Sequence, residues 1–138
     1  MALQQGATDA FKTGLMNGGY NFTSGSFKMA LYTGSATLGP NTAVYTSTNE
    51  VVATGYTAGG IALPVSVAPT SSNNVTYISF SNVTWYGSIT ARGALIYQDG
   101  GSNPTVCVLD FGSDKTSITS LTVQFPTANS SNAIIRIT

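Results

Sequence analysis

Two hydrophobic periodicities divide the chain. Near the start, Phe11, Leu15 and Met16 recur at i, i+4 and i+5, the spacing of one face of a helix. Thr8 is placed to cap its N-terminus, Asp9 suits the positive end of the helix dipole, and Asn17-Gly18-Gly19 stops it. A helix this short is marginal by itself. Its apolar face must therefore dock, either on the chain's own sheet or on a neighbouring subunit.

Beyond Gly25 the period changes to two. Phe27, Met29 and Leu31 alternate with Lys28, Ala30 and Tyr32; Ile61, Leu63, Val65 and Val67 alternate with Ala62, Pro64 and Ser66. Pro64 has no N–H to give to a ladder, so that strand is expected at an edge or with a bulge. Further strands are expected at Val44–Ala53, Val75–Phe80, Val83–Tyr86, Ile89–Tyr97, Thr105–Phe111, Ile118–Phe125 and Ala133–Thr138. Turn residues separate them at Gly39-Pro40-Asn41, Gly59-Gly60, Pro69–Asn74, residues 99–104, Gly112-Ser113-Asp114 and Pro126–Asn132. The pattern predicts an all-β fold, an antiparallel β-sandwich or jelly roll of about eight strands with a short N-terminal helix. It divides the chain into an N-terminal arm, residues 1–24, and a β-sandwich domain, residues 25–138.

Composition narrows the chemistry. Only ten residues are charged, five of each sign, and polarity comes instead from 20 Thr, 16 Ser and 10 Asn. Without histidine there is no Ser-His-Asp or Cys-His relay and no histidine-bound metal. A single cysteine excludes an intrachain disulfide, a CxxC pair and an all-cysteine zinc site. Cys107, inside the apolar run Val106–Leu109, is expected to pack as a small hydrophobe. The five basic residues are scattered among acids, which argues against a nucleic-acid partner. No apolar run approaches the ~20 residues of a membrane span, and the first ten residues carry no basic signal region. The expectation is a soluble protein made in a reducing cytoplasm, with no membrane partner.

The candidate catalytic groups do not converge. Asp9, Glu50, Asp99, Asp110 and Asp114 are far apart in sequence, and nothing aligns two of them as the facing carboxyls of a glycosidase. Asp110-Phe111-Gly112 spells the kinase magnesium triplet without the remaining kinase motifs. Asp110 is better suited to cap a strand or to pair with a base. The glycine-rich Thr54–Gly60 has neither the ending nor the following helix of a phosphate loop, and its glycines suit a turn at positive φ. Trp85-Tyr86 fits a strand entering the core. No enzyme activity and no cofactor are expected. Low charge leaves strand edges without their usual guards and favours association.

A family resemblance emerges from ordered segments along nearly the whole chain. They are Phe11-Lys12 with Leu15–Gly18, Asn21-Phe22-Thr23, Phe27–Thr33, Thr48-Asn49-Glu50, Thr54–Gly60, Val83-Thr84-Trp85 and Thr90–Tyr97. They continue through Val108–Gly112, Asp114-Lys115-Thr116, Phe125-Pro126-Thr127 and Ala133–Ile137. Together they resemble a family of small virion proteins of tailed bacteriophages. The resemblance implies a structural role. The expected role is a capsid decoration (cement) protein on the outer head surface, trimeric, with the major capsid protein and its own copies as partners. The alternative is a tail or fibre-associated protein that contacts the host surface. Phe11, Leu15 and Met16 are the expected intersubunit contacts. Glu50 and Arg92, charged residues in otherwise uncharged strands, are expected to pair with each other, buried or at an interface.

Overall fold

The computed structural model describes residues 3–138. Met1 and Ala2, the start of the expected arm, lie outside the described residues. Ten strands and one helix follow in order: β1 (Gly6–Ala7), α1 (Asp9–Asn17), β2 (Phe27–Tyr32), β3 (Ile61–Ala62), β4 (Val65–Ser72), β5 (Val75–Phe80), β6 (Val83–Tyr86), β7 (Thr90–Gln98), β8 (Thr105–Thr116), β9 (Ser120–Val123) and β10 (Ile135–Ile137). A five-stranded sheet has the order β1-β8-β7-β2-β3, a three-stranded sheet β10-β5-β4, and a two-stranded sheet β6-β9. Every pairing is antiparallel. The fold is an all-β sandwich.

The alternation along β2 and β7 explains the layers. Met29, Leu31, Ala94 and Ile96 face the main core, where they meet Ile78 and Phe80 of the three-stranded sheet and Val83, Trp85 and Val123 of the two-stranded one. The intervening residues Ala30, Tyr32, Leu95 and Tyr97, joined by Val108 of β8, pack on the other side against Leu3, Ala36 and Leu38. Both faces of the central strands are thus buried. The cover on the second face is the long connection between β2 and β3, residues 33–60.

The helix forms as its sequence dictates. The Thr8 hydroxyl accepts the Phe11 N–H at 3.1 Å, and Gly18 closes the C-terminus at φ 72°. Phe11 is buried, edge-on to Tyr20 and Phe22 with ring centroids 5.1 and 5.8 Å away. The helix therefore docks on the chain's own core. Thr8 is fully buried and bonded to the Thr105 hydroxyl at 2.9 Å, and Gly6-Ala7 extends the large sheet by pairing with Val108 and Cys107. Residues of the expected arm are thus built into the sandwich.

Three local expectations need correction. Val44–Ala53 is not a strand; it holds only isolated bridges, Val44 to Pro104 and Glu50 to Tyr32. Asn49 stands at φ 61°, which breaks extension, and Tyr45 and Glu50 turn their side chains to each other. The run from Ile61 to Val67 splits at Leu63-Pro64. Its first part edges the large sheet and its second part edges the three-stranded one, so the proline marks the crossing between sheets. Finally, Gly112 does not end β8. The pairing jumps from Gly93↔Asp110 to Ala91↔Lys115, so the intervening residues of β8 bulge out, with Gly112 at φ 83°.

Candidate functional site

Among the described residues Glu50 is the one charged side chain that is buried, at 6% exposure, and no base faces it. Its carboxylate accepts hydrogen bonds from the Tyr45 hydroxyl at 2.5 Å, from the Gly59 N–H at 2.8 Å and from the Tyr56 hydroxyl. The Tyr56 oxygen in turn accepts the Leu31 N–H at 2.9 Å. Tyr97 donates to the Gly59 carbonyl at 2.5 Å and Tyr32 to the Thr46 carbonyl at 2.6 Å. The rings of Tyr45 and Tyr97 stack, with centroids 4.9 Å apart.

This network closes an exposed edge. β3 covers only Lys28 and Met29 of β2, which leaves the groups of Leu31 open. The Leu31 carbonyl receives the Val51 N–H at 2.9 Å, its N–H goes to Tyr56, and Thr33 donates to Asn49 at 3.0 Å. Residues 49–56 thus replace a strand, and Glu50 holds them in place. Two glycines let the loop approach. Gly60, at φ 87°, lies where a Cβ would overlap the Met29 carbonyl oxygen, and Gly55, at φ 93°, lies against the Tyr86 carbonyl. Burial, reinforced by the negative charge of Glu50, pushes the hydroxyls of Tyr32, Tyr45 and Tyr56 well above the usual phenol range. Tyr97 rises to about 12, again mainly through burial. All four act as neutral donors. The carboxylate is enclosed by groups of its own chain, an arrangement that builds a loop anchor.

Arg92 is elsewhere engaged. Its Nε donates to Asp110 at 3.1 Å, across the register Gly93↔Asp110 of β7 and β8. The expected Glu50–Arg92 pair is therefore absent. The Gly112 N–H, more than Arg92, holds the Asp110 carboxyl below its ordinary range, so Asp110 both caps the bulge and pairs with a base. Beside this pair opens a shallow cleft of about 340 Å³, with Val51, Val52 and Ala53 on one side and Thr33, Thr90, Arg92 and Asp114 around it. Among the described residues no three acidic, histidine or cysteine side chains gather as metal ligands.

The remaining candidates fall as follows. Phe11 is buried in its own core, Leu15 is half-buried, and Met16 is 90% exposed. Of the three expected helix contacts, Met16 thus stands fully on the surface. Trp85 is buried and Tyr86 is not. Cys107 is a free, buried thiol whose pKa burial pushes up to about 12.

The hydroxyl-rich composition has a structural counterpart. Thr84 and Thr122, Thr90 and Thr116, and Ser71 and Thr76 lie opposite each other in register and join their hydroxyls at 2.7, 3.0 and 2.7 Å. Such cross-strand pairs occupy surface positions where many sheets place ion pairs. Their exposure gives no periodic or charge signal in sequence. The tyrosine cluster was similarly invisible there, apart from the isolated charge of Glu50. Comparison with protein-family models, curated proteins and solved structures returns no match to this chain.

Proposed function

We propose that this chain is a structural protein of a tailed-bacteriophage virion, a decoration protein that binds the assembled head as a trimer. The motif resemblance along the chain suggests the family. The observation that carries the structural reading is the use of Glu50: the one buried charge among the described residues is bonded by groups of its own chain and pins a loop over a strand edge. Rigid loops and neutral, hydroxyl-paired strands suit a protein that adds stiffness to a lattice. A protein that binds only the assembled shell stabilises it by mass action. The test is to add purified protein to heads that lack it and to measure co-sedimentation and resistance to heat. Saturable binding to heads, with a raised disruption temperature, supports the proposal. Binding to tails alone favours the tail or fibre-associated reading, and binding to neither overturns the virion assignment.

A further inference from the structure

Six large apolar side chains are exposed among the described residues, and three of them, Val52, Tyr86 and Ile118, belong to segments that meet at one end of the molecule. They are 97, 75 and 87% exposed. The meeting is made by backbone. Gly87 donates to the Thr119 carbonyl at 2.9 Å, and the Ser117 hydroxyl donates to the Gly87 carbonyl at 2.8 Å. The Thr54 carbonyl lies against Gly87, and the Tyr86 carbonyl against Gly55.

These side chains stand on firm supports. Val52 follows Val51, which is buried and bonded to Leu31, and Ile118 follows the buried Ser117, whose oxygen accepts the Ile89 N–H at 3.1 Å. Tyr86 ends β6, paired with Ser120 of β9. Side chains already held on a rigid frame lose little freedom on binding. Apolar groups that gather on neighbouring segments, unlike single exposed ones, mark interaction sites.

The charges beside Val52 indicate what docks there. Arg92 gives Asp110 only its Nε, leaving both terminal amino groups of the guanidinium without partners among the described residues. Among the described residues the Asp114 carboxylate has neither a hydrogen bond nor an ion pair. Both flank Gly34: a Cβ there would sit 3.6 Å from Asp114 Oδ1 and 3.9 Å from Arg92 Cβ. A matching surface must be apolar and must offer one carboxylate and one cation. This same face offers both, so two copies can meet through it about a two-fold axis, the isologous contact of identical subunits.

We propose that the Val52–Tyr86–Ile118 end is where a second copy of this chain docks about a two-fold axis, with Arg92 of each copy meeting Asp114 of the other. The contact deepens the assembly reading above, on which its biological use rests, but its existence is tested on the isolated protein. It also moves the self-contact from the helix, whose Phe11 is used internally, to the far ends of β6 and β8. The experiment is sedimentation equilibrium of the full chain and of the variants Val52→Asp, Ile118→Asp and Asp114→Arg, with Met16→Asp as a control away from this end. All four positions are on the surface, and circular dichroism checks that each variant folds.

The wild type and the control should form a dimer, and each of the other three should weaken it by about tenfold or more, equivalent to about 1.4 kcal/mol. A wild type that stays monomeric overturns the contact, as does an oligomer indifferent to all three substitutions. A monomer that still binds heads removes this contact and leaves the virion reading in place. An oligomer weakened as expected that binds no virion component does the reverse.

Discussion

Replacing Glu50 by alanine should unfold the chain at much lower denaturant, because it strands three donors at once. Hydrogen bonds to a charged group contribute about 1.5–3 kcal/mol each, and Glu50 accepts from Tyr45, Tyr56 and Gly59. Their sum overestimates the loss, since the three share one acceptor and Tyr56 keeps its bond from Leu31. Each buried neutral donor left unsatisfied costs about 1–3 kcal/mol, so about 3–5 kcal/mol, the lower part of the threefold sum, is the expected loss here. A domain of this kind holds about 5–15 kcal/mol in total. Glu50→Gln keeps the shape and one good acceptor, and should lose about 1–2 kcal/mol. Urea unfolding followed by the fluorescence of Trp85, which packs 6.3 Å from the Tyr56 ring, measures both variants. A loss below about 1 kcal/mol for Glu50→Ala, within the range of an ordinary surface change, would refute the anchoring role.

Other outcomes follow from the same contacts. Stability should fall as pH rises above 10, since tyrosines ionise near 10.0 in the unfolded chain but resist ionisation when folded. This contribution is complete below pH 10 and is lost as pH rises through the folded values; phenolate absorbance should then show a slow class of tyrosines released by unfolding. Phe11→Ala should cost about 3–5 kcal/mol, and deletion of residues 1–17 should unfold the domain, as read by thermal melting, since Phe11 and Thr8 are core. Gly60→Ala should destabilise far more than Gly100→Ala. Both glycines have positive φ, but only at Gly60 does a Cβ meet backbone; urea midpoints compare them. Cys107 should react with a thiol reagent only when urea unfolds the chain, because it is buried with its pKa raised to about 12.

The parts of the fold that sequence revealed are those governed by local rules. The Thr8 cap, the Gly18 stop and the period-two runs at β2, β5, β6 and β7 needed only neighbours along the chain. The edge position of the segment around Pro64 followed from its missing N–H, while its split between two sheets did not. What escaped depended on partners distant in sequence. Residues 44–53 have the β-branched and aromatic character of a strand, but Tyr45, Glu50 and Tyr56 bond to one another and draw the segment into a loop. Arg92 and Asp110 meet through the register of β7 and β8, and that register is set by a bulge at Gly112 that composition presents as a simple turn. Glu50 attracted notice as an isolated charge. Its partners proved to be the hydroxyls of Tyr45 and Tyr56 and the Gly59 N–H, which together take the place that a base would otherwise fill.

The most direct test of the proposed assembly role is the density of the phage particles made alongside this chain, at a resolution that traces strands. The account predicts copies of the sandwich on the outer head surface, bridging neighbouring capsomers and meeting one another through Val52, Tyr86 and Ile118. Density for the chain on the tail only, or a virion without it, would contradict the decoration role.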